Sequence, residues 1–183
     1  MDKVKARIMD AADIKRTIMR LAHEIVERNH GVKNLGIVGI RTRGDHLARR
    51  VFEAVKSIEG EPLGIGVLDI TLYRDDFRIR KTGPGVQITD IPFDMDETTV
   101  VLVDDVLYTG RTSRAALDAL MDYGRPGRVQ LAVLVDRGHR ELPIKADFVG
   151  KNIPTAPGEE VLVHLKEEDK VDEVVLVETA GKE

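Results

Sequence analysis

Two hydrophobic periods alternate along this chain. From Asp10 to Asn29, Ile14, Ile18, Leu21, Ala22, Ile25 and Val26 recur at spacings of three and four, which predicts an amphipathic helix. Asp10 stands as its N-cap with Asp13 three residues on, and Gly31 stands where a C-terminal cap belongs. Leu35 to Ile40 is instead a continuous apolar, β-branched run, too short for a helix and suited to a buried strand. A helix follows from about His46 to Ser57, then a strand within Leu63 to Thr71. Thr99 to Asp104 reads as the central strand, Thr112 to Asp122 as a helix packed through Ala115, Ala116, Leu120 and Met121, and Val129 to Val135 as a further strand. Gly124 to Gly127 separates those last two. Strand and helix in alternation predict a parallel α/β sheet, whose ligands collect at the carboxyl ends of the strands.

Two stretches break the alternation. Leu72 to Thr98 is irregular and highly charged, with Tyr73-Arg74-Asp75-Asp76, Arg78, Arg80, Lys81 and a Gly83-Pro84-Gly85 break. It reads as a mobile excursion, either a lid over a site or an exposed hairpin. After Val135 the apolar pieces shorten to Phe148-Val149, Val161 to Leu165 and Val174 to Val177, with Lys151-Asn152-Ile153-Pro154 interrupting them. These read as a small closing subdomain near residues 150–180 within a single domain spanning 1–183, with a frayed end.

Composition narrows the class. A chain of 183 residues with 42% hydrophobic and 33% charged content has the makeup of one folded domain, not of a disordered chain. It contains no Cys, which rules out disulfides and thiolate metal sites. No apolar run approaches about 18 residues, so a signal peptide and a spanning helix are not expected, and the cytoplasm is the default setting. The net charge of −4 argues against nucleic-acid binding through bulk charge. Any such binding needs a local basic face.

The stretch VVLVDDVLYTGRT, Val100 to Thr112, carries the candidate chemistry. A buried strand ending in Asp104 and Asp105 supplies acceptors for sugar hydroxyls, and the turn Tyr108 to Thr112 at a helix start supplies backbone N–H groups for a phosphate. A ribose 5-phosphate carries both groups. Neither GxxxxGK[ST] nor GxGxxG occurs, which removes the commoner phosphate motifs. Arg41-Thr42-Arg43-Gly44 after the strand Leu35 to Ile40 is either a solvated loop or, beside a phosphoribosyl site, a second anion subsite able to hold pyrophosphate. Arg16, Arg20 and His23 share the polar face of the first helix, where Glu24 and Glu27 offer them i,i+4 partners. A diphosphate substrate normally brings its own Mg²⁺, and no histidine spacing suggests a resident metal.

The whole string resembles the 5-phosphoribosyl 1-pyrophosphate (PRPP) signature of the type I phosphoribosyltransferases. With GIRTRG, DITLYRDD and LVDRGHRELPIKADFVGKNIPT, the chain resembles more narrowly the bacterial PyrR family, from the first helix to about Leu165. That resemblance implies a type I phosphoribosyltransferase fold: a mainly parallel twisted sheet flanked by helices, with a small hood and a flexible loop. It implies conversion of uracil and PRPP to UMP and pyrophosphate with Mg²⁺. It also implies binding of pyr leader mRNA in response to UMP or UTP, which changes transcription termination, and homodimers able to assemble further. By position, Asp104 and Asp105 would hold ribose, Tyr108, Thr109, Gly110, Arg111 and Thr112 the 5-phosphate, and Arg41, Thr42, Arg43 and Gly44 the pyrophosphate. Arg74 would come from the mobile loop, and Val135, Asp136, Arg137 and Ile153 would surround the pyrimidine. Arg16, Arg20, His23, Arg28, His139, Arg140, Lys145 and Lys151 would face RNA. Met19 departs from a position where the family commonly has a hydroxyl, and Lys145 from one where Arg is frequent. The loop from Asp76 to Thr89 shows little similarity. A purine-salvage transferase sharing only the PRPP motif is the competing reading.

Overall fold

The computed structural model describes residues 3–75 and 88–179. The chain order is β1 (Lys3–Met9), α1 (Ala11–Asn29), β2 (Leu35–Ile40), α2 (Gly44–Glu59), β3 (Gly64–Leu68), a 3₁₀ turn (Thr71–Tyr73), β4 (Thr99–Leu107), α3 (Arg111–Met121), β5 (Arg128–Asp136), β6 (Phe148–Asn152), β7 (Glu159–His164), α4 (Lys166–Asp169) and β8 (Glu173–Glu178). Five strands form one sheet in the order β3-β2-β4-β5-β6. Every pairing in it is parallel, so all five carboxyl ends lie on one edge.

The central strands are buried on both faces, and their side chains sort by parity. Val101 and Val103 of β4 join a core with Ile14, Ile18, Leu21 and Ile25 of α1 and Leu47, Val51 and Val55 of α2. Val100 and Leu102 join the opposite core, with Ala115, Ala116, Ala119 and Leu120 of α3. Two faces that both need covering are what a continuous apolar strand encodes.

Helix α1 begins with a reciprocal cap: Asp10 accepts from the Asp13 amide at 2.8 Å, and Asp13 accepts from the Asp10 amide at 3.1 Å. Its far end differs from expectation. His30, not Gly31, takes the left-handed cap position at φ 54°, while the Gly31 amide reaches back to the Val26 carbonyl at 3.0 Å.

Three boundaries change what the strands support. β4 continues three residues past Asp104, because β5 runs beside it and pairs Val106 with Val135 and Leu107 with Asp136. The acidic pair therefore lies within a hydrogen-bonded strand, not after one. Phe148 and Val149 belong to β6 of the main sheet, together with Lys151 and Asn152, and not to the closing subdomain. The second sheet, in the order β1-β8-β7, takes its third strand from the N-terminal Lys3–Met9, an element the hydrophobic pattern does not predict. The short helix α4 is likewise absent from that pattern.

Candidate active site

Three chain segments meet at the carboxyl edge of the main sheet. In β4, Asp104 is buried at 5% exposure, and its Oδ1 accepts the Asp105 amide at 2.9 Å. Asp105 in turn accepts the Val106 amide at 2.7 Å. Burial first, then the neighbouring Asp105 charge, pushes the Asp104 carboxyl well above the usual carboxylate range, with Arg74 pulling the other way. Burial also raises Asp105, against the amide bonds it accepts and the Arg43 charge. Burial outweighs the nearby Arg43 and Arg74 charges at this pair.

The turn from Tyr108 to Thr112 joins β4 to the 11-residue helix α3. Gly110 sits at φ 92°, a conformation glycine adopts without strain, and as the N-cap of α3 it brings no side chain to cap the helix. The Thr109 carbonyl accepts the Glu141 and Leu142 amides at 2.9 and 3.1 Å, and the Arg140 guanidinium donates to the Tyr108 carbonyl at 2.8 Å. The loop's carbonyls are tied back in this way, and the Arg111 amide donates to Thr109 Oγ1 at 3.3 Å. The Arg111 side chain turns to Glu141 at 2.6 Å and Asp75 at 3.0 Å. A cavity of about 450 Å³ lies here, lined by Val106 to Ser113 with Arg74, Asp75 and Glu160.

The third segment is Arg41 to Gly44. Gly44 starts α2 directly under β4, where a Cβ would stand 2.6 Å from the Val103 carbonyl oxygen and 3.4 Å from Asp104 Oδ1. No larger residue permits that approach, so the loop and the acidic pair share one floor. The Arg41–Thr42 peptide is cis, Thr42 is exposed, and Arg41 lies 3.9 Å from Asp45. Arg43, at φ 64°, gives its guanidinium to Asp169.

A second cavity of about 420 Å³ adjoins the first, walled by Arg43, Asp105, Tyr108 and Arg137 on one side and by β7 from Glu160 to His164 on the other. Arg137 is 7% exposed, lies 4.0 Å above the Tyr108 ring and donates to the Glu159 carbonyl at 2.5 Å. The Ile153 amide donates to the Asp136 carbonyl at 2.9 Å, which sets Ile153 beside the end of β5. Val135 itself is fully buried in the core. The wall contributed by β7 carries no sequence signal, because nothing in an ordinary alternating strand marks which site it covers.

The residues assigned to RNA fall into two groups. Arg20 donates to the Gly150 and Val149 carbonyls at 2.5 and 3.3 Å and pairs with Glu24, while Arg28 pairs with Asp147 at 3.3 Å. Exposed Arg16, His23 and Lys151 share the elements α1 and β6 with them, and Lys145 is exposed in the segment before β6. His139 and Arg140 stand nearer the nucleotide edge: His139 meets the Thr155 carbonyl at 2.7 Å, and Arg140 bonds Asp136 and the Ile144 carbonyl. Arg78, Arg80, Lys81 and the Gly83-Pro84-Gly85 break lie outside the described residues.

Among the described residues no group of three or more His, Asp or Glu is arranged to hold a metal ion. The Asp104-Asp105 pair nonetheless suits a hard cation arriving with its ligand, since its oxygens are those that need positive charge.

An acidic strand end, an amide-lined turn and a basic loop on one sheet edge match a described class. The chain belongs to the family whose description is "Phosphoribosyl transferase domain", matched over residues 6–168. Solved structures share the fold: a hypoxanthine phosphoribosyltransferase from Staphylococcus aureus has a TM-score of 0.70 at 20% identity, over 98% of this chain and 94% of that one. One from Trypanosoma cruzi has a TM-score of 0.73 at 16% identity, over 96% and 92%. Within that class it belongs to the PyrR family. It is 62% identical over 176 residues to the bifunctional protein PyrR of Roseiflexus sp. (strain RS-1), covering 96% of each chain. To that of Chloroflexus aurantiacus it is 58% identical over 171 residues, covering 93% and 94%, and to that of Bacillus pumilus 56% over 177, covering 95% and 98%.

Proposed function

We propose that the chain transfers phosphoribose from PRPP to N1 of uracil, giving UMP and pyrophosphate, and that with uridine nucleotide bound it attaches to pyr leader mRNA and attenuates transcription. The observation that carries the reading is a buried acid pair on the same sheet edge as the turn at the start of α3. Likeness to bifunctional PyrR proteins over nearly the whole chain supports the base and the RNA partner, and it disfavours the purine-salvage alternative.

Asp104 and Asp105 accept hydrogen bonds from the ribose hydroxyls, contributing about 1.5–3 kcal/mol each. The amides of Tyr108 to Thr112 hold the 5-phosphate at the N-terminus of α3. Arg41 to Gly44 hold the pyrophosphate, and Arg74, beside Asp104, covers the reacting centre. As the bond from the anomeric carbon to the pyrophosphate oxygen stretches, positive charge grows on the sugar and the two carboxylates stabilise it. N1 of uracil then forms the new bond and loses its proton. Mg²⁺ bound to PRPP supplies charge neutralisation on the leaving diphosphate. Asp136, Arg137 and Ile153 border the pyrimidine, with Val135 packed in the core behind them. The RNA face is the α1–β6 surface with Arg16, Arg20, His23, Arg28, Lys145 and Lys151, joined by His139 and Arg140. Met19, 39% exposed on α1, adds no polar contact there. A cytoplasmic homodimer belongs to the same reading, and no described helix is long and apolar enough to cross a membrane.

Incubation with uracil, PRPP and Mg²⁺ should yield UMP and pyrophosphate. Preferential consumption of hypoxanthine or guanine would reject the assignment. A leader hairpin should bind more tightly as UMP is added, and indifference to UMP would reject the sensing role.

A further inference from the structure

Two ligands have a claim on Arg43. The phosphoribosyl reading gives it to pyrophosphate, whereas in the structure its fork is closed on a carboxylate, Nε to Asp169 Oδ2 at 3.1 Å and Nη2 to Asp169 Oδ1 at 2.8 Å. That two-pronged geometry is the one a diphosphate oxygen pair would need. Asp169 is firmly placed for the role. It is the last residue of α4, its Oδ2 also accepts the Leu165 amide at 2.9 Å, and its own amide donates to the Leu165 carbonyl at 2.6 Å.

The surroundings hold Asp169 there independently of Arg43. Glu168 lies 2.8 Å from His46, Glu167 meets Arg50 at 3.0 and 2.6 Å, and Asp172 meets the same guanidinium at 2.7 Å. Arg43, His46 and Arg50 are spaced three and then four residues apart, so they line one side of α2, and the acids between β7 and β8 dock along it. Of these acids only Asp169 reaches into the proposed pyrophosphate loop. Arg43 also walls the cavity that Asp105 and β7 enclose.

We propose that Asp169 is a positioning residue that competes with pyrophosphate for Arg43 and thereby weakens the hold on that product. The proposal rests on the phosphoribosyltransferase reading of the site. An incoming diphosphate must displace the Asp169 carboxylate from Arg43 or bind against its charge, and the neighbouring acid pairs keep that carboxylate close throughout. Because Arg43 holds the Asp169 carboxyl below its usual range, the competitor stays ionised across the neutral range.

Calorimetric titration of Mg²⁺-pyrophosphate into the full chain tests this in wild type, Asp169→Asn and Asp169→Glu. The Asn variant keeps an oxygen for the Leu165 amide but loses the charge, and it should bind pyrophosphate about tenfold more tightly, the size of one charge-assisted hydrogen bond. Its KM for PRPP should fall without a rise in kcat, its UMP affinity should stay unchanged, and Asp169→Glu should restore wild-type values. Glu167→Gln, which weakens the docking of α4 while leaving Asp169 charged, should tighten pyrophosphate binding too, but by less than Asp169→Asn does. Equal or weaker pyrophosphate binding by Asp169→Asn would overturn the competition, as would equal binding by Asp169→Ser should the Asn variant not fold. Wild-type protein that binds no pyrophosphate and forms no UMP would instead sink the phosphoribosyltransferase reading, so the two failures are distinguishable.

Discussion

Asp104 is a side chain whose folded surroundings oppose its own ionisation. It is buried, it lies beside a second carboxylate, and its raised pKa records both effects. Such a residue destabilises the free protein, and in the proposed reading it serves the bound state, where ribose hydroxyls and positive charge on the sugar would satisfy it. Replacing it by Asn keeps the acceptor for the Asp105 amide and removes the charge. Asp104→Asn should therefore raise the melting temperature of the free protein by about 2–4 °C, the shift expected per kcal/mol for a chain of this size. UMP formation should fall on the order of 100-fold or more, as for removal of a group aimed at transition-state charge. Thermal unfolding and initial-rate assays on the same preparation check both. A lower melting temperature would mean that the carboxylate is already compensated.

At the scale of elements, strands β2, β4 and β5 and helices α1 to α3 were legible because each has one hydrophobic period and a distinct boundary. Val100 to Thr112 showed its strand, acids, turn and helix in order, since all of that chemistry is local. What escaped depends on distant partners. In β1, Lys3, Lys5 and Arg7 alternate with Val4, Ala6 and Ile8, but only the pairing with β8 gives that weak alternation a strand's role. The grip of Asp169 on Arg43 joins residues 126 positions apart, and the loop sequence Arg41 to Gly44 gives no sign of it. Arg20 is a similar case: it sits on the polar face of α1 yet donates to β6 carbonyls, so it can brace the face as well as touch RNA. Arg20→Ala combined with His23→Ala should cut leader-RNA affinity at least about tenfold, the effect of removing charge-assisted hydrogen bonds to phosphate. UMP synthesis should continue at its normal rate. Filter binding beside a uracil assay separates the two outcomes, and unchanged RNA affinity would remove α1 from the interface.

For the molecule as a whole, acid pairs and the buried site set opposite pH trends. Arg50 and Arg43 depress the carboxyls of Glu167 and Asp169, and Asp172, though burial opposes it, is also lowered by Arg50. Depressed groups stabilise the fold above their unfolded pKa of about 4, and that stability is lost as pH falls through their lower folded values. Asp104 works in the other sense. Its folded pKa is raised, so its contribution is fully present below about pH 4 and is lost as pH rises through the folded value. Melting temperature should consequently drop on the acid side of about pH 4 in both wild type and Asp104→Asn, and as pH rises above that point the wild type should lose more stability than the variant, which keeps only the raised Asp105. A melting-temperature profile against pH for the two proteins tests the assignment; parallel profiles on the alkaline side would refute it.

The antiparallel register of β1 and β8 sets Lys3 across from Glu178. Neighbouring strand partners of this kind lie about 5 Å apart, so Lys3 and Glu178 are close in space. A short linker joining Lys3 to Glu178 would close the backbone between them into a ring while every strand kept its neighbour. The circularised protein should resist exopeptidases, melt at a higher temperature because its unfolded state has fewer conformations, and still make UMP. Loss of UMP synthesis on closure would show that the chain ends must part for the site to work.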